Sequence, residues 1–170
     1  MSLAGSRSLF FLVFAVGALA SWAGWHLQYG VGLEPCSLWS VQRFFILLFT
    51  VVSLVAAVHG PGRQGSRGYW LLNLLSSLGG VLTAGRHVLL QNVASDQLLA
   101  CLPDIPFMLR NMSAVRTLQL VFQGTSDCAD VTWTLVDMSA PEWSLLVFAA
   151  MLVLSVYRLL RLARRRPVLP

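Results

Sequence analysis

Three cysteines and one arginine carry the chemistry open to this sequence. Cys36 stands in Glu34-Pro35-Cys36-Ser37-Leu38-Trp39-Ser40-Val41-Gln42-Arg43. Pro35 suits the first turn of a helix, where its missing N–H costs nothing, and Cys36 then lies at that helix's N-terminal end. The positive end of the helix dipole favours a thiolate there, and the thiolate is the nucleophilic form of cysteine. Arg43 follows about two helical turns later, on the same side of the helix. A guanidinium at membrane depth is costly and usually marks a site. It is suited to polarising a lipid-soluble electron acceptor held at the outer leaflet. The plainer reading makes Cys36 a small apolar filler and lets Arg43 snorkel to the interface. Cys101 and Cys128 come later in the chain, and their plainest reading is an inert structural disulfide. With an odd number of cysteines, at least one is outside any intramolecular disulfide at a given moment.

The elements that position these groups belong in a bilayer. The chain has 170 residues, of which 56% are hydrophobic and 11% charged, whereas a soluble domain carries about 25% charged residues. Its mean hydropathy is +0.70. These values exclude an ordinary cytosolic enzyme, a disordered chain and a collagen-like fibre. Four stretches supply the roughly 20 apolar residues that a spanning helix needs: about 9–28, 38–58, 69–90 and 143–160. Backbone groups in lipid must bond internally, so the spans are helices. The expected fold is an all-α integral membrane four-helix bundle, a single domain over 1–170, with outer loops at about 29–37 and 91–142. Arg7, the following apolar run and Ala18-Leu19-Ala20 also match a cleavable signal peptide. The apolar character continues through Trp22 and Trp25, which favours a retained first span with an aromatic interface.

Charge sets the orientation. Of the 12 basic residues, all arginine, Arg7, Arg63, Arg67, Arg158, Arg161, Arg164, Arg165 and Arg166 fall on one side of a four-span arrangement. That side is cytoplasmic by the positive-inside rule, so both termini face the cytoplasm. Glu34, Asp96, Asp104, Asp127, Asp130, Asp137 and Glu142 all fall on the other side, as do the three cysteines. In a bacterium that side is the oxidising periplasm; a eukaryotic secretory membrane reads the same way. The net charge of +5 is therefore a topology signal with lipid headgroups as its contact, not a nucleic-acid footprint. In the second loop, Phe107-Met108-Leu109 and Leu118-Gln119-Leu120-Val121-Phe122 suggest an amphipathic helix lying on the membrane.

Taken together, these pieces resemble the DsbB family, the bacterial inner-membrane disulfide bond formation proteins, in pseudomonad-like form. The resemblance covers nearly the whole chain. It rests on the four-span topology, on Leu27-Gln28, and on Pro35-Cys36-Ser37-Leu38 followed by Gln42-Arg43. It continues through Gly85-Arg86, Leu90-Gln91 and Cys101. It closes with Gly124-Thr125-Ser126-Asp127-Cys128-Ala129 and Pro141-Glu142-Trp143-Ser144-Leu145. The resemblance implies reoxidation of DsbA, a periplasmic thiol oxidase, and delivery of the electrons to a membrane quinone, ubiquinone or menaquinone. It implies a redox disulfide Cys101–Cys128 that the reduced partner attacks, with Cys36 exchanging disulfides with that pair. It places Arg43 against the quinone and makes Arg86 a second candidate for the same pocket. DsbA is a known strong oxidant at about −120 mV, so only an acceptor of higher potential can drain it.

One position departs from the family pattern. The family has Cys-x-x-Cys; this chain has Cys36-Ser37-Leu38-Trp39. The missing cysteine is the one that, in the family, meets the quinone. Tryptophan carries no thiolate and fills far more volume. Three readings stay open. Cys36 itself attacks or contacts the quinone, Cys128 then forms Cys36–Cys128, and Cys101 resolves that bond. Alternatively, the chain is a catalytically impaired paralogue that binds DsbA or quinone. In the third reading, Trp39 is a sequence error or a substitution.

Other features point to ordinary roles. Asn73, Ser76, Ser77 and Thr83, with Gly79 and Gly80, permit close helix packing rather than transport. His26, His59 and His87 form no metal site; His87 is expected as an interfacial polar residue or a quinone contact.

Overall fold

The computed structural model describes residues 3–32, 36–92, 98, 102–103, 105–130 and 133–164. Cys101, Glu34, Pro35, Asp96, Asp104, Arg165 and Arg166, which figure in the expectations above, lie outside the described residues.

Four long helices make the body: α1 (Leu3–Tyr29), α2 (Ser37–His59), α3 (Arg63–Leu90) and α7 (Ala140–Arg164). Among the described residues between α3 and α7 are three short helices, α4 (Ile105–Asn111), α5 (Ala114–Gln123) and α6 (Ser126–Ala129), and a two-stranded hairpin, β1 (Thr134–Leu135) and β2 (Met138–Ser139). The hairpin pairs Thr134 with Ser139 and Leu135 with Met138, antiparallel. It was not anticipated, because strands of two residues leave no alternating pattern to read.

Among the described residues, three helices are long and apolar enough to cross a membrane: 7–29, α2 and α7. By composition α3 falls short of the other three, although it is as long as a span. The reason lies in which face is polar. Ser66, Asn73, Ser76, Ser77, Thr83 and His87 are buried against neighbouring helices, while Leu71, Leu72, Leu75, Leu78, Leu82 and Leu89 face outward. Polar and small residues inside with leucine outside is the arrangement of a helix packed in lipid rather than in water. Several of these buried groups find partners within the protein: Asn73 Nδ2 donates to Ser53 Oγ on α2 at 3.1 Å, and Thr83 Oγ1 donates to the Gly79 carbonyl at 2.9 Å.

The core runs through the bundle as Phe10 and Val13 of α1, Phe49 and Ala56 of α2, Trp70 and Ala84 of α3, and Phe148 and Met151 of α7. Phe10 stacks on Trp70 with ring centroids 4.8 Å apart, a geometry worth about 0.5–1.5 kcal/mol beyond the area buried. Where helices approach closely, glycine leaves the room: a Cβ on Gly80 would run into the Phe148 ring, and one on Gly79 into the Phe45 ring.

Arginines tie one end of the bundle. Arg7 donates to the carbonyls of Ala57 and Val58 at the C-terminus of α2. Arg63 and Arg67, from the first turns of α3, both donate to the Leu162 carbonyl near the C-terminus of α7. Cations there satisfy carbonyls that lack helical partners and complement the helix dipole. The start of α1 and the end of α7 therefore share the α2–α3 end. Only Gly60–Gly62 separate α2 from α3, with Gly60 in the left-handed conformation (φ 60°) as the C-cap of α2. Arg63 and Arg67 belong to the α3 helix, because the Leu162 carbonyl gives their side chains a partner there.

In the second loop, α4 and α5 are amphipathic as expected. They are two helices rather than one, divided at Met112 and Ser113, and Ser113 Oγ accepts from the Arg116 amide as the N-cap of α5. Met108 and Val121 turn inward, while Phe107, Leu109, Val115 and Leu118 face out. At the start of α7, Glu142 accepts from the Ser139 amide at 2.6 Å, half of a capping box.

The glycine contact gives a stability prediction. Gly80→Ala pushes a methyl into the Phe148 ring and should lower stability in detergent by about 1–3 kcal/mol. Gly85→Ala, with nothing within 4 Å of the added carbon, should leave stability equal or slightly raised. Thermal unfolding followed by circular dichroism compares the two.

Candidate redox site

The site is built where α2 begins and α3 ends. Cys36 is the N-cap of α2, in extended conformation (φ −68°, ψ 167°), with no side-chain capping bond. Its position at the helix N-terminus agrees with the expectation. Across from it, Gly124 adopts a positive φ of 83°, and a Cβ at that position would collide with Leu90. The chain thus turns tightly over the end of α3 and starts α6, which carries Cys128. Leu38, Leu90, Met108, Val121 and Cys128 form a second buried cluster, against which Cys36 and Val41 pack.

Cys36 and Cys128, 92 positions apart in sequence, are joined by a disulfide with Cα atoms 5.5 Å apart. The pairing implied by resemblance was Cys101–Cys128. In this structure Cys128 is bonded to Cys36 instead, because α2 and α6 present the two side chains to each other over the end of α3. Cys36–Cys128 is the cross-loop bond that the three-cysteine scheme passes through.

Two neighbours contact the sulfurs. Thr125 Oγ1 donates to Cys128 Sγ at 3.6 Å. His87, buried on the last turn of α3, has Nε2 at 3.6 Å from Cys36 Sγ. Its Nδ1 lies 3.0 Å from Gln42 Nε2. With the Gln42 amide donating to Nδ1, a neutral imidazole carries its proton on Nε2, facing the sulfur. Cys36, His87 and Cys128 offer ligand atoms within 4.8 Å of one another. The histidines are not gathered: His26 stacks on Trp22 and His59 bonds the Tyr69 hydroxyl. His87 and Gln42 escaped sequence reasoning in this role. The only signal was their place in Gln42-Arg43 and Arg86-His87, and nothing local shows that positions 45 apart face each other.

A cavity of about 270 Å³ opens beside this cluster between α1, α2 and α7. Trp25 and Leu27 of α1, Trp39, Gln42 and Arg43 of α2, Trp133 and Leu135 of the hairpin segment, and Trp143 and Phe148 of α7 are among its walls. Among the described residues that line it, Arg43 is the one that carries a charge. The guanidinium donates to Gln28 Oε1 and lies 5.4 Å from the centre of the Trp25 ring, a cation–π distance. Trp143 Nε1 donates to the Leu135 carbonyl at 3.1 Å, fixing the hairpin against α7. Gln42 is 2% exposed, and its Oε1 has no hydrogen-bond partner within the protein. Trp39 lines the cavity; Cys36, a turn earlier, does not.

Arg86 is placed elsewhere. It donates to the carbonyls of Phe122 at 2.8 Å and Gln123 at 3.2 Å, at the C-terminus of α5. It is not among the cavity walls, so its contacts here are those of a clamp holding the second loop on α3. Sequence position alone put Arg86 close to Arg43 in depth; the helix phase of α3 turns it toward α5.

The helices and the site define a class: a helical protein of membrane type with a cysteine pair linking two loops beside an apolar, tryptophan-lined cavity. The family profile described as "Disulfide bond formation protein DsbB" matches residues 6–158, and the chain belongs to the DsbB family. It is 65% identical over 173 residues, covering 100% of both chains, to the protein named Disulfide bond formation protein B 2 of Pseudomonas fluorescens. It is 45% identical over 163 residues to Disulfide bond formation protein B 1 of Pseudomonas aeruginosa, covering 96% of this chain and 100% of that one. To Disulfide bond formation protein B of Stutzerimonas stutzeri it is 42% identical over 161 residues, covering 95% and 99%.

The observed pairing can be checked directly. In non-reduced protein trapped with acid and digested, peptides carrying Cys36 and Cys128 should run as one linked species. The link should persist in Cys101→Ser and vanish in Cys128→Ser. Mass spectrometry of the digests reads the outcome.

Proposed function

We propose that the chain is a membrane thiol–disulfide oxidoreductase that reoxidises a DsbA-type partner and passes the electrons to a membrane quinone. The observation that carries this reading is the Cys36–Cys128 disulfide between the two loops, set next to a cavity that contains Arg43. Family membership supports the disulfide chemistry.

The proposed topology has four spans, α3 included, with both termini cytoplasmic and the cysteine loops periplasmic in the bacterial inner membrane. The inward-facing polar residues of α3 support its place in the bilayer, because outward leucine is what lipid requires. The arginine-tied end supports the orientation.

The cavity walls fit a quinone head group. They are apolar and aromatic, and they include one guanidinium for a carbonyl oxygen to meet. Gln42 adds a buried amide oxygen that lacks a partner, suited to a ligand hydroxyl. Arg43 and Gln42 would hold the ring and Trp25, Trp39 and Trp143 would pack on it. Bound there, ubiquinone or menaquinone supplies the acceptor for two electrons and two protons. The protein's own part is thiol–disulfide exchange among Cys36, Cys128 and Cys101, which conserves the number of disulfides at each step.

A second reading has a specific observation behind it. Trp39 stands in the cavity wall where the family carries its second cysteine, and Cys36 does not reach that wall. This favours a chain that binds the partner or quinone with impaired turnover.

Purified protein with reduced DsbA and ubiquinone separates the two. The oxidase reading expects quinone consumption that Cys36→Ser and Cys128→Ser each abolish. Arg43→Leu should raise the quinone concentration at half-maximal rate about tenfold, the loss of one charge-assisted hydrogen bond. Background rates in the parent together with family-like turnover in Trp39→Cys would establish the impaired reading. Background rates in both would end the oxidase proposal.

A further inference from the structure

His87 stands between the disulfide and the cavity, and thiol exchange as described above leaves it without a task. It is 7% exposed, with Nδ1 held by Gln42 and Nε2 directed at Cys36 Sγ. A buried imidazole needs hydrogen bonds to offset its lost hydration, and beside Gln42 the His87 ring also has the Cys128 backbone as a partner. A disulfide sulfur, 3.6 Å from Nε2, is a weak further acceptor. A thiolate sulfur is a strong one, since hydrogen bonds to an ionised acceptor are about twice as strong as neutral ones. The Nε2–sulfur contact is thus weak while the disulfide is closed and strong once Cys36 carries charge. A contact that strengthens along the reaction lowers the barrier.

We propose that His87 is a catalytic group of the exchange at Cys36: its Nε2–H stabilises the Cys36 thiolate released when the Cys36–Cys128 bond opens, and Gln42 fixes the tautomer that makes this possible. An attacking thiolate, from Cys101 or from a partner dithiol, bonds to Cys128 Sγ. The Cys36–Cys128 bond breaks, and Cys36 leaves with the electron pair as a thiolate. One disulfide is consumed and one is made, no proton changes site, and no external oxidant takes part. His87 stays neutral throughout, donating from Nε2 and accepting at Nδ1. A better stabilised leaving thiolate departs faster, and the N-terminal end of α2 adds its dipole to the same charge. Because Gln42 is also a cavity wall, the hydrogen-bonded path Cys36–His87–Gln42 joins the sulfur to the space where the acceptor is proposed to bind. The assignment rests on the proposed function only in taking Cys36 to be an exchanging sulfur.

The test needs neither partner nor quinone. With Cys101 and Cys128 replaced by Ser, Cys36 is the sole thiol, and its alkylation by iodoacetamide followed against pH reads its ionisation. His87→Gln keeps an amide N–H that reaches where Nε2 lies; the amide of His87→Asn reaches only as far as Nδ1. The Asn variant should move the profile to higher pH, by about tenfold in the thiolate equilibrium, the size of one hydrogen bond to a charged group. The Gln variant should stay near the parent. With all three cysteines present, reduced glutathione should open Cys36–Cys128 several-fold more slowly in His87→Asn than in the parent.

An Asn profile that coincides with the parent, or Asn and Gln profiles shifted alike, overturns the proposal. If His87→Asn does not fold, nitrogen-15 histidine spectra of the parent decide: the Nε2–H resonance should move downfield when the disulfide is reduced, and an unmoved resonance refutes the assignment. Quinone consumption on the same preparations is scored separately. Its absence beside a His87-dependent Cys36 profile ends the oxidase reading and leaves the His87 assignment standing. Turnover with a His87-independent profile does the reverse.

Discussion

A single covalent bond between two sulfurs holds the functional end of this protein together. Cys36 sits on the first residue before α2, and Cys128 sits on a four-residue helix that could not be stable alone. The bond, the turn at Gly124 and the packing of Leu38, Leu90, Met108 and Val121 around Cys128 place the second loop over the end of α3. Arg86 reinforces that placement by clamping the last carbonyls of α5. In a redox protein such a bond cannot be merely a staple. If it opens during exchange, the remaining packing and the Arg86 clamp must keep the loop in reach, and both are present.

The body beneath obeys a different constraint. Helices in lipid gain little from turning leucine inward, so close approach and internal hydrogen bonds hold them together. Gly79 and Gly80 let the Phe45 and Phe148 rings sit against the α3 backbone, and Asn73 bonds Ser53 across the α2–α3 seam. That polar seam ends, at its outer extreme, in His87 and Gln42. The structural polarity of α3 and the chemistry at Cys36 are therefore continuous along one helix face.

Trp39 stands at the position where the family resemblance implies a second cysteine. It extends the aromatic lining of the cavity shared with Trp25, Trp133 and Trp143. Among the described residues, the chamber is lined mostly by apolar and aromatic side chains, with the Arg43 guanidinium and the unpartnered Gln42 amide oxygen in its wall. Cys36 is not among the residues that line the chamber.

Composition, charge and hydrophobic runs determined a great deal by themselves. They called for long apolar helices, gathered arginine at one end, put Cys36 at a helix N-terminus and set Arg43 two turns below it. These are local or additive properties, summed along the chain, and they survive without knowledge of packing. Three of the expected spans are helices of fitting length and apolarity. What only the tertiary structure decided depends on which side chains face one another across helices. The choice of Cys36 as the partner of Cys128, the pairing of Gln42 with His87, the removal of Arg86 from the cavity to α5, and the two-residue hairpin that carries Leu135 are all set by helix phase and loop path. Those are properties of pairs of residues distant in sequence, and no single segment of the chain contains them.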